Sequence, residues 1–207
     1  MLLNKHKSIR PSLEHLVQND RHFKKIFTLS DIDSIAHRHR PCSYAAFVRT
    51  IVGQQLSTKA AATIWGRVAA LADPFVPETV LALDDAALRG AGLSGQKIGY
   101  LRGLSAAVAA GDFSFSRLRH MDDAEVIAAI TALKGFGRWS AEMVLIFALA
   151  RLDVFSGGDL GLREGMRRVL KLDARPSEKA AVKLAERWAG HRTAASLLLW
   201  HTQTLRD

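Results

Sequence analysis

Apolar residues along this chain recur at helical spacing and almost never alternate. Tyr44, Phe47, Val48 and Ile51 fall at i, i+3, i+4 and i+7, which is one face of a helix. Ser57 then offers a side-chain oxygen as the N-cap of a second helix, with Ala61, Ile64, Trp65, Val68 and Leu71 as its apolar stripe. Pro74 and Pro77 interrupt the pattern. Further helices are predicted over 84–89, 97–110, 122–133, 140–150, 160–170, 177–188 and 193–204, joined by short connections, several of them containing Gly or Pro. Asp122 and Glu125 have the spacing of a capping box, in which each satisfies a backbone donor at the helix start. The pattern predicts an all-α chain with no low-complexity segment and no long linker.

Composition narrows the function classes. A chain of 207 residues with 48% hydrophobic and 24% charged residues has the make-up of a globular protein, not of a disordered one. The 29 Lys and Arg outnumber the 20 Asp and Glu, and a net charge of +9 favours a polyanionic partner, nucleic acid ahead of membrane. The single cysteine, Cys42, excludes an intramolecular disulfide framework, a four-cysteine iron–sulfur cluster and a cysteine-rich zinc site. The first residues, 1–10, are basic but lead into no apolar signal region, and the longest purely apolar run, Met143 to Ala150, is too short for a bilayer. The expectation is a protein that is not secreted and not in a membrane: cytoplasmic in a bacterium, nuclear in a eukaryote. The run His37-Arg38-His39-Arg40 ahead of Pro41 marks a boundary between two parts of the chain, and reads more readily as a solvated basic loop than as a specific contact.

The most informative segment is Leu133-Lys134-Gly135-Phe136-Gly137-Arg138-Trp139-Ser140-Ala141. One amphipathic helix ends at Leu133 and another begins near Arg138, with two glycines between them. Glycine tolerates positive φ and leaves the backbone N–H groups open to an anion, and the helix N-terminus adds partial positive charge. Such a turn suits a phosphate, which positions a nucleic acid without reading its sequence. A plain helix–helix turn would need only one glycine.

Leu-x-Gly-x-Gly-x-x-x-Ala is followed by Asp153-Val154-Phe155 and then by Asp159-Leu160-Gly161-Leu162. Upstream stand Ile51-Val52-Gly53-Gln54-Gln55-Leu56-Ser57 with Lys59-Ala60-Ala61, and Gly92-Leu93-Ser94 with Lys97 and Tyr100-Leu101; downstream stand Arg187-Trp188, Arg192 and Trp200. Together, in this order, these motifs resemble the helix-hairpin-helix DNA glycosylases with a Gly/Pro-rich loop and a catalytic aspartate, and within them the 3-methyladenine DNA glycosylase II branch.

The resemblance implies two helical lobes with a cleft between them, an inner lobe of 42–140 ending in the hairpin and a second of 1–41 with 141–207. It makes Asp159 the catalytic carboxylate, although on residues alone an Asp after Gly157-Gly158 reads as a helix N-cap. Such a carboxylate stabilises an oxocarbenium-like sugar or orients water toward C1′. The target base must first leave the stack, and a cationic base is held well between aromatic faces. Trp139 and Trp200 take the family's pocket positions, Met143 stands where a relative has tyrosine, and Trp65 and Trp188 are left to the core. Gln55, with Gln54 beside it, takes the position of the side chain that fills the vacated stack. Lys134, Gly135, Phe136, Gly137, Arg138 and Ser140 become the DNA-binding hairpin, and the backbone carbonyls of Thr131, Leu133 and Phe136 a seat for a monovalent ion; no catalytic metal and no cofactor is implied.

Bifunctional relatives carry a nucleophilic lysine where this chain has Trp139, which implies base removal without strand cleavage. The chain departs from the family pattern at Lys134, where Pro is usual, and at Gly158, which replaces a first Asp and loosens the loop that aims Asp159. The expectation is a monomeric, monofunctional glycosylase acting on alkylated purines in double-stranded DNA. A non-catalytic hairpin module that only binds DNA, and a glycosylase for deaminated or oxidised bases, are the alternatives.

Overall fold

The structure, a computed structural model, describes residues 9–35 and 39–205. Its helices are α1 (Arg10–Asn19), α2 (Tyr44–Gly53), α3 (Thr58–Ala69), α4 (Pro77–Leu81), α5 (Asp85–Gly90), α6 (Gly95–Ala109), α7 (Asp123–Thr131), α8 (Arg138–Phe147), α9 (Leu160–Leu170), α10 (Glu178–Ala185) and α11 (Arg192–His201). Among the described residues there is no strand, so the chain is all-α as its apolar spacing predicts. It divides into two compact units, Pro41–Ala141 and the chain up to Arg40 together with Glu142 onward.

Side-chain caps set many of the helix starts. Ser43, Ser57, Asp84, Ser94, Asp122 and Ser177 each accept a backbone N–H one turn into the helix that follows. Each such cap contributes about 1 kcal/mol relative to alanine. The capping box of Asp122 and Glu125 closes with two bonds of 2.8 Å. Pro77 begins a helix where an interruption is expected: in the first turn of α4 its fixed φ and missing N–H cost nothing. Ser94 starts α6 two residues ahead of the expected position.

In the unit 41–141 the predicted face of α2 is fully buried, and the Phe47 ring meets those of Phe113, Phe115 and Phe136 at 5.8, 5.0 and 5.2 Å. The α3 stripe is less buried than expected. Only Val68 is fully inside; Ala61, Ile64 and Trp65 are half-exposed, and Leu71 lies past the helix end. Trp65 is therefore not a core residue but a rim residue, set edge-on to Phe75 at 5.3 Å.

In the other unit Trp188 does have the core role assigned to it. Its ring packs on Phe23 at 5.2 Å and its indole N–H donates to Asp20 at 3.0 Å, tying the segment after α1 to the one before α11. The helices α9 and α11 meet backbone to side: a Cβ on Gly165 would lie 2.3 Å from the Leu199 carbonyl oxygen, so only glycine permits this approach. Asp153 fastens the start of α11, accepting from Arg192 Nε and Nη2 at 2.7 Å each and from the Gly190 N–H at 2.9 Å. Those bonds, the Arg192 pair first, hold the Asp153 carboxyl below its ordinary pKa.

Of the basic run, His37 and Arg38 lie outside the described residues, as do residues 1–8. His39 and Arg40 are exposed yet docked on the C-terminal end of α8. The His39 ring contacts the Ala148 carbonyl at 3.1 Å, the Arg40 N–H donates to the Phe147 carbonyl, and the guanidinium lies 4.8 Å from the centre of the Phe147 ring. A cation there complements the helix dipole, so this end of the run is an anchored segment, not a freely solvated loop.

Candidate active site

The hairpin between α7 and α8 uses its two glycines differently. Gly135 has φ +94°, and a Cβ on it would sit 2.4 Å from the Tyr100 ring, so both the backbone angle and the packing require glycine. Gly137 has no protein atom within 4 Å of its Cβ position; its carbonyl accepts the Ala141 N–H, placing it at the head of α8 with open space beside it. Lys134, Arg138 and Trp139 are exposed and Ser140 is half-buried. Phe136 differs from the expected DNA contact: its ring is buried on Phe47 and its N–H donates to the Leu133 carbonyl at 3.0 Å, so it anchors the turn from inside.

The turn after α2 abuts this hairpin. The Gln54 side-chain amide donates to the Gly135 carbonyl at 2.8 Å. Gln55 is exposed and adopts φ +57°, in the left-handed region that non-glycine residues seldom occupy. Of the two glutamines, Gln54 is thus engaged with the hairpin and Gln55 is the one presented to solvent.

In the other unit Asp159 caps α9, as the residue-level reading has it, and does more. Its Oδ1 accepts the Leu162 N–H at 2.8 Å and the Trp200 indole N–H at 3.0 Å. Two donors on one oxygen fix the carboxylate plane. Trp200 is half-buried, and its ring stacks on Phe147 at 5.7 Å with an interplanar angle of 25°. Met143, one helical turn before Phe147 in α8, is buried.

Glycines make this arrangement possible. A Cβ on Gly161 would lie 2.9 Å from Gln203 Nε2, 3.1 Å from Asp159 Oδ1 and 3.3 Å from Trp200 Cδ1, so its absence leaves the indole–carboxylate contact uncrowded. Gly157 is buried, and a Cβ there would meet Val182 at 2.5 Å and the Glu178 carbonyl at 3.1 Å. The loop before Asp159 is therefore packed against α10, not loosened by its glycines. It is held further by Ser156, whose buried hydroxyl donates to the buried Glu142 carboxylate at 2.5 Å. Phe147 and the Glu142–Ser156 pair carry no mark in the sequence, and Gly161 stands out there only within the Asp159-Leu160-Gly161-Leu162 motif. The Gly-x-x-x-Gly spacing of Gly161 and Gly165 was the one further signal available.

Among the described residues no cluster of His, Cys, Asp or Glu could hold a metal ion, and no helix is long and apolar enough to cross a membrane.

A two-glycine turn leading into a helix, within an all-helical chain, defines a helix-hairpin-helix protein. The chain belongs to the HhH-GPD superfamily of base excision DNA repair proteins, whose family model matches residues 48–190. A DNA-3-methyladenine glycosylase 1 from Schizosaccharomyces pombe is 34% identical over 168 residues, 79% of this chain and 74% of that protein. The crystal structure of a DNA-3-methyladenine glycosidase from Bacillus halodurans superimposes with a TM-score of 0.80 at 34% identity, covering 93% of this chain and 88% of the other. That of the Schizosaccharomyces pombe 3-methyladenine DNA glycosylase in complex with abasic DNA gives 0.79 at 30% identity, covering 95% and 98%. With this family and these relatives the chain is a DNA glycosylase of base excision repair.

Proposed function

We propose that this protein removes alkylated purines, of the 3-methyladenine kind, from double-stranded DNA by hydrolysing the N-glycosidic bond and leaving the strand intact. The observation that carries the reading is the clamped carboxylate, Asp159 held through Oδ1 by both the α9 backbone and the Trp200 indole. A carboxylate that only caps a helix needs the first of these bonds and not the second. Fixed negative charge beside the deoxyribose stabilises the oxocarbenium character that develops as the bond to the base lengthens. Water then bonds to C1′ and gives up a proton to solvent, while the base departs with the electron pair of the broken bond. An alkylated purine is already cationic and leaves without a dedicated acid.

Trp200, on which Phe147 stacks, supplies an aromatic surface of the kind that attracts a cationic base. Trp139, exposed in the first turn of α8, and Met143 complete the set assigned to base recognition. Lys134, Gly135, Gly137, Arg138 and Ser140 hold backbone phosphates, while Gln55 enters the stack that the base has left. The backbone carbonyls of Thr131, Leu133 and Phe136 are the seat assigned to a monovalent ion. The protein is expected to work as a monomer without a cofactor.

Incubation with a panel of single-lesion duplexes, followed by analysis of released bases, tests the reading. Release of 3-methyladenine ahead of deaminated or 8-oxidised bases is the expected result. Exclusive release of the latter would move the activity to another lesion class, and tight duplex binding with no base released would reduce the protein to a binding module.

A further inference from the structure

The turn that presents Gln55 has little hold of its own. Its local backbone bonds, Gln54 N–H to the Ile51 carbonyl and Leu56 N–H to the Gly53 carbonyl, are both 3.3 Å long. The short contacts come from elsewhere. Lys97, in the first turn of α6, reaches the C-terminal end of α2 and donates from Nζ to the carbonyls of Val52 and Gln54, each at 2.8 Å. These bracket Gly53 and precede Gln55 directly. A helix leaves its last carbonyls without partners, and an ammonium there answers both the missing donors and the dipole. Among the described residues no ion pair of the Lys97 ammonium with a carboxylate is seen, and partial burial lowers its pKa.

The same stretch of α6 also supports the hairpin. Tyr100, one turn beyond Lys97, lies under Gly135 so closely that no side chain fits between them. Gln54 closes the triangle through its bond to the Gly135 carbonyl. The phosphate-facing hairpin and the Gln55 turn thus rest on one short base, with Lys97 as the contact that fixes Gln55.

We propose that Lys97 is a positioning residue for base extrusion, holding the exposed, left-handed Gln55 at a fixed offset from the hairpin by gripping the Val52 and Gln54 carbonyls. The inference rests on the reading of the protein as a base-extruding glycosylase with Gln55 as the inserted side chain. Its content is mechanical. When the hairpin settles on phosphates, the Gln55 backbone is already in place, and no ordering of that turn is left to be done while the base is leaving the stack.

The test uses the full chain and a duplex carrying whichever lesion the wild-type protein excises, in single-turnover kinetics, with 2-aminopurine beside the lesion reporting loss of stacking. Lys97→Met keeps the stem and removes the donors. It is expected to slow excision and the fluorescence rise together by roughly tenfold, with Lys97→Arg recovering most of the loss. The deciding comparison is with Gln55→Ala. Once Gln55 is shortened, Lys97→Met should cost nothing further, because its effect runs through that side chain. A purely structural cap would instead slow the reaction by the same factor in both backgrounds, and that additivity overturns the proposal while leaving the glycosylase reading intact. If Gln55→Ala alone changes neither rate nor fluorescence, the inserted residue is another and the proposal falls with it. A wild-type protein that releases no base from any duplex removes the underlying reading itself.

Discussion

At the scale of single residues the helix cap that Asp159 makes and the catalytic duty proposed for it can be separated by substitution. Asn caps a helix as well as Asp does, so Asp159→Asn is expected to keep the melting temperature near wild type. Loss of the charge should nevertheless slow single-turnover base release by on the order of 10²–10³. Wild-type excision by this variant would remove Asp159 from the chemistry. Gly161 provides a subtler probe. A methyl group at this position presses on Gln203, Asp159 Oδ1 and Trp200 Cδ1, whereas one on Gly158 meets only ordinary contacts with the Glu178 carboxylate at 3.7–3.8 Å. Gly161→Ala should therefore slow excision by roughly tenfold through a displaced carboxylate, and Gly158→Ala should leave the rate where it was. Equal rates for the two variants would show that the indole–carboxylate bond is not needed.

At the scale of elements the two hairpin glycines make separable predictions. Gly135→Ala forces a side chain into both a left-handed backbone and the Tyr100 ring, and should destabilise the fold by about 1–3 kcal/mol. Gly137→Ala meets nothing in the protein, so stability should hold while affinity for any duplex falls, damaged or not; thermal melts and duplex titrations of the pair check this. Loss of stability at Gly137, or unchanged affinity, would mean that the open space beside it is not where DNA lies. Much of this was readable in advance. Local signals such as Ser57 and the Asp122–Glu125 pair set helix starts by bonds within a turn, and the two-glycine spacing marks its own hairpin. What the sequence hid was set by contacts between distant segments. Nothing near Trp65 says that α3 lies at a rim, and nothing in Gly157-Gly158 says that α10 packs against them. The bond from Trp200 to Asp159, whose partners stand 41 positions apart, joins α9 and α11, which approach each other at Gly161 and Gly165.

At the scale of the whole molecule the net charge of +9 acts through the phosphate backbone. Duplex affinity should fall with salt by about 0.9 in log K per neutralised phosphate for each decade of concentration, with little dependence on flanking sequence; a flat titration would contradict it. With Trp139 at the hairpin position and no amine assigned to C1′, borohydride should trap no protein–DNA adduct, and strand breaks should appear only after alkali. A trapped adduct lost on mutating Lys134 would overturn that expectation. The division of the chain carries a consequence in time. The unit Pro41–Ala141 is one unbroken stretch, available for folding as soon as it leaves the ribosome, whereas its neighbour is made of segments that flank it. Asp20 meets Trp188 across 168 positions, so the segment after α1 must wait through the synthesis of everything between before this partner exists. The hairpin between α7 and α8 can therefore mature first, and the clamped carboxylate, which depends on α11, is among the last features to form: a nascent chain would complete the turn proposed to hold DNA before the carboxylate proposed to release the base.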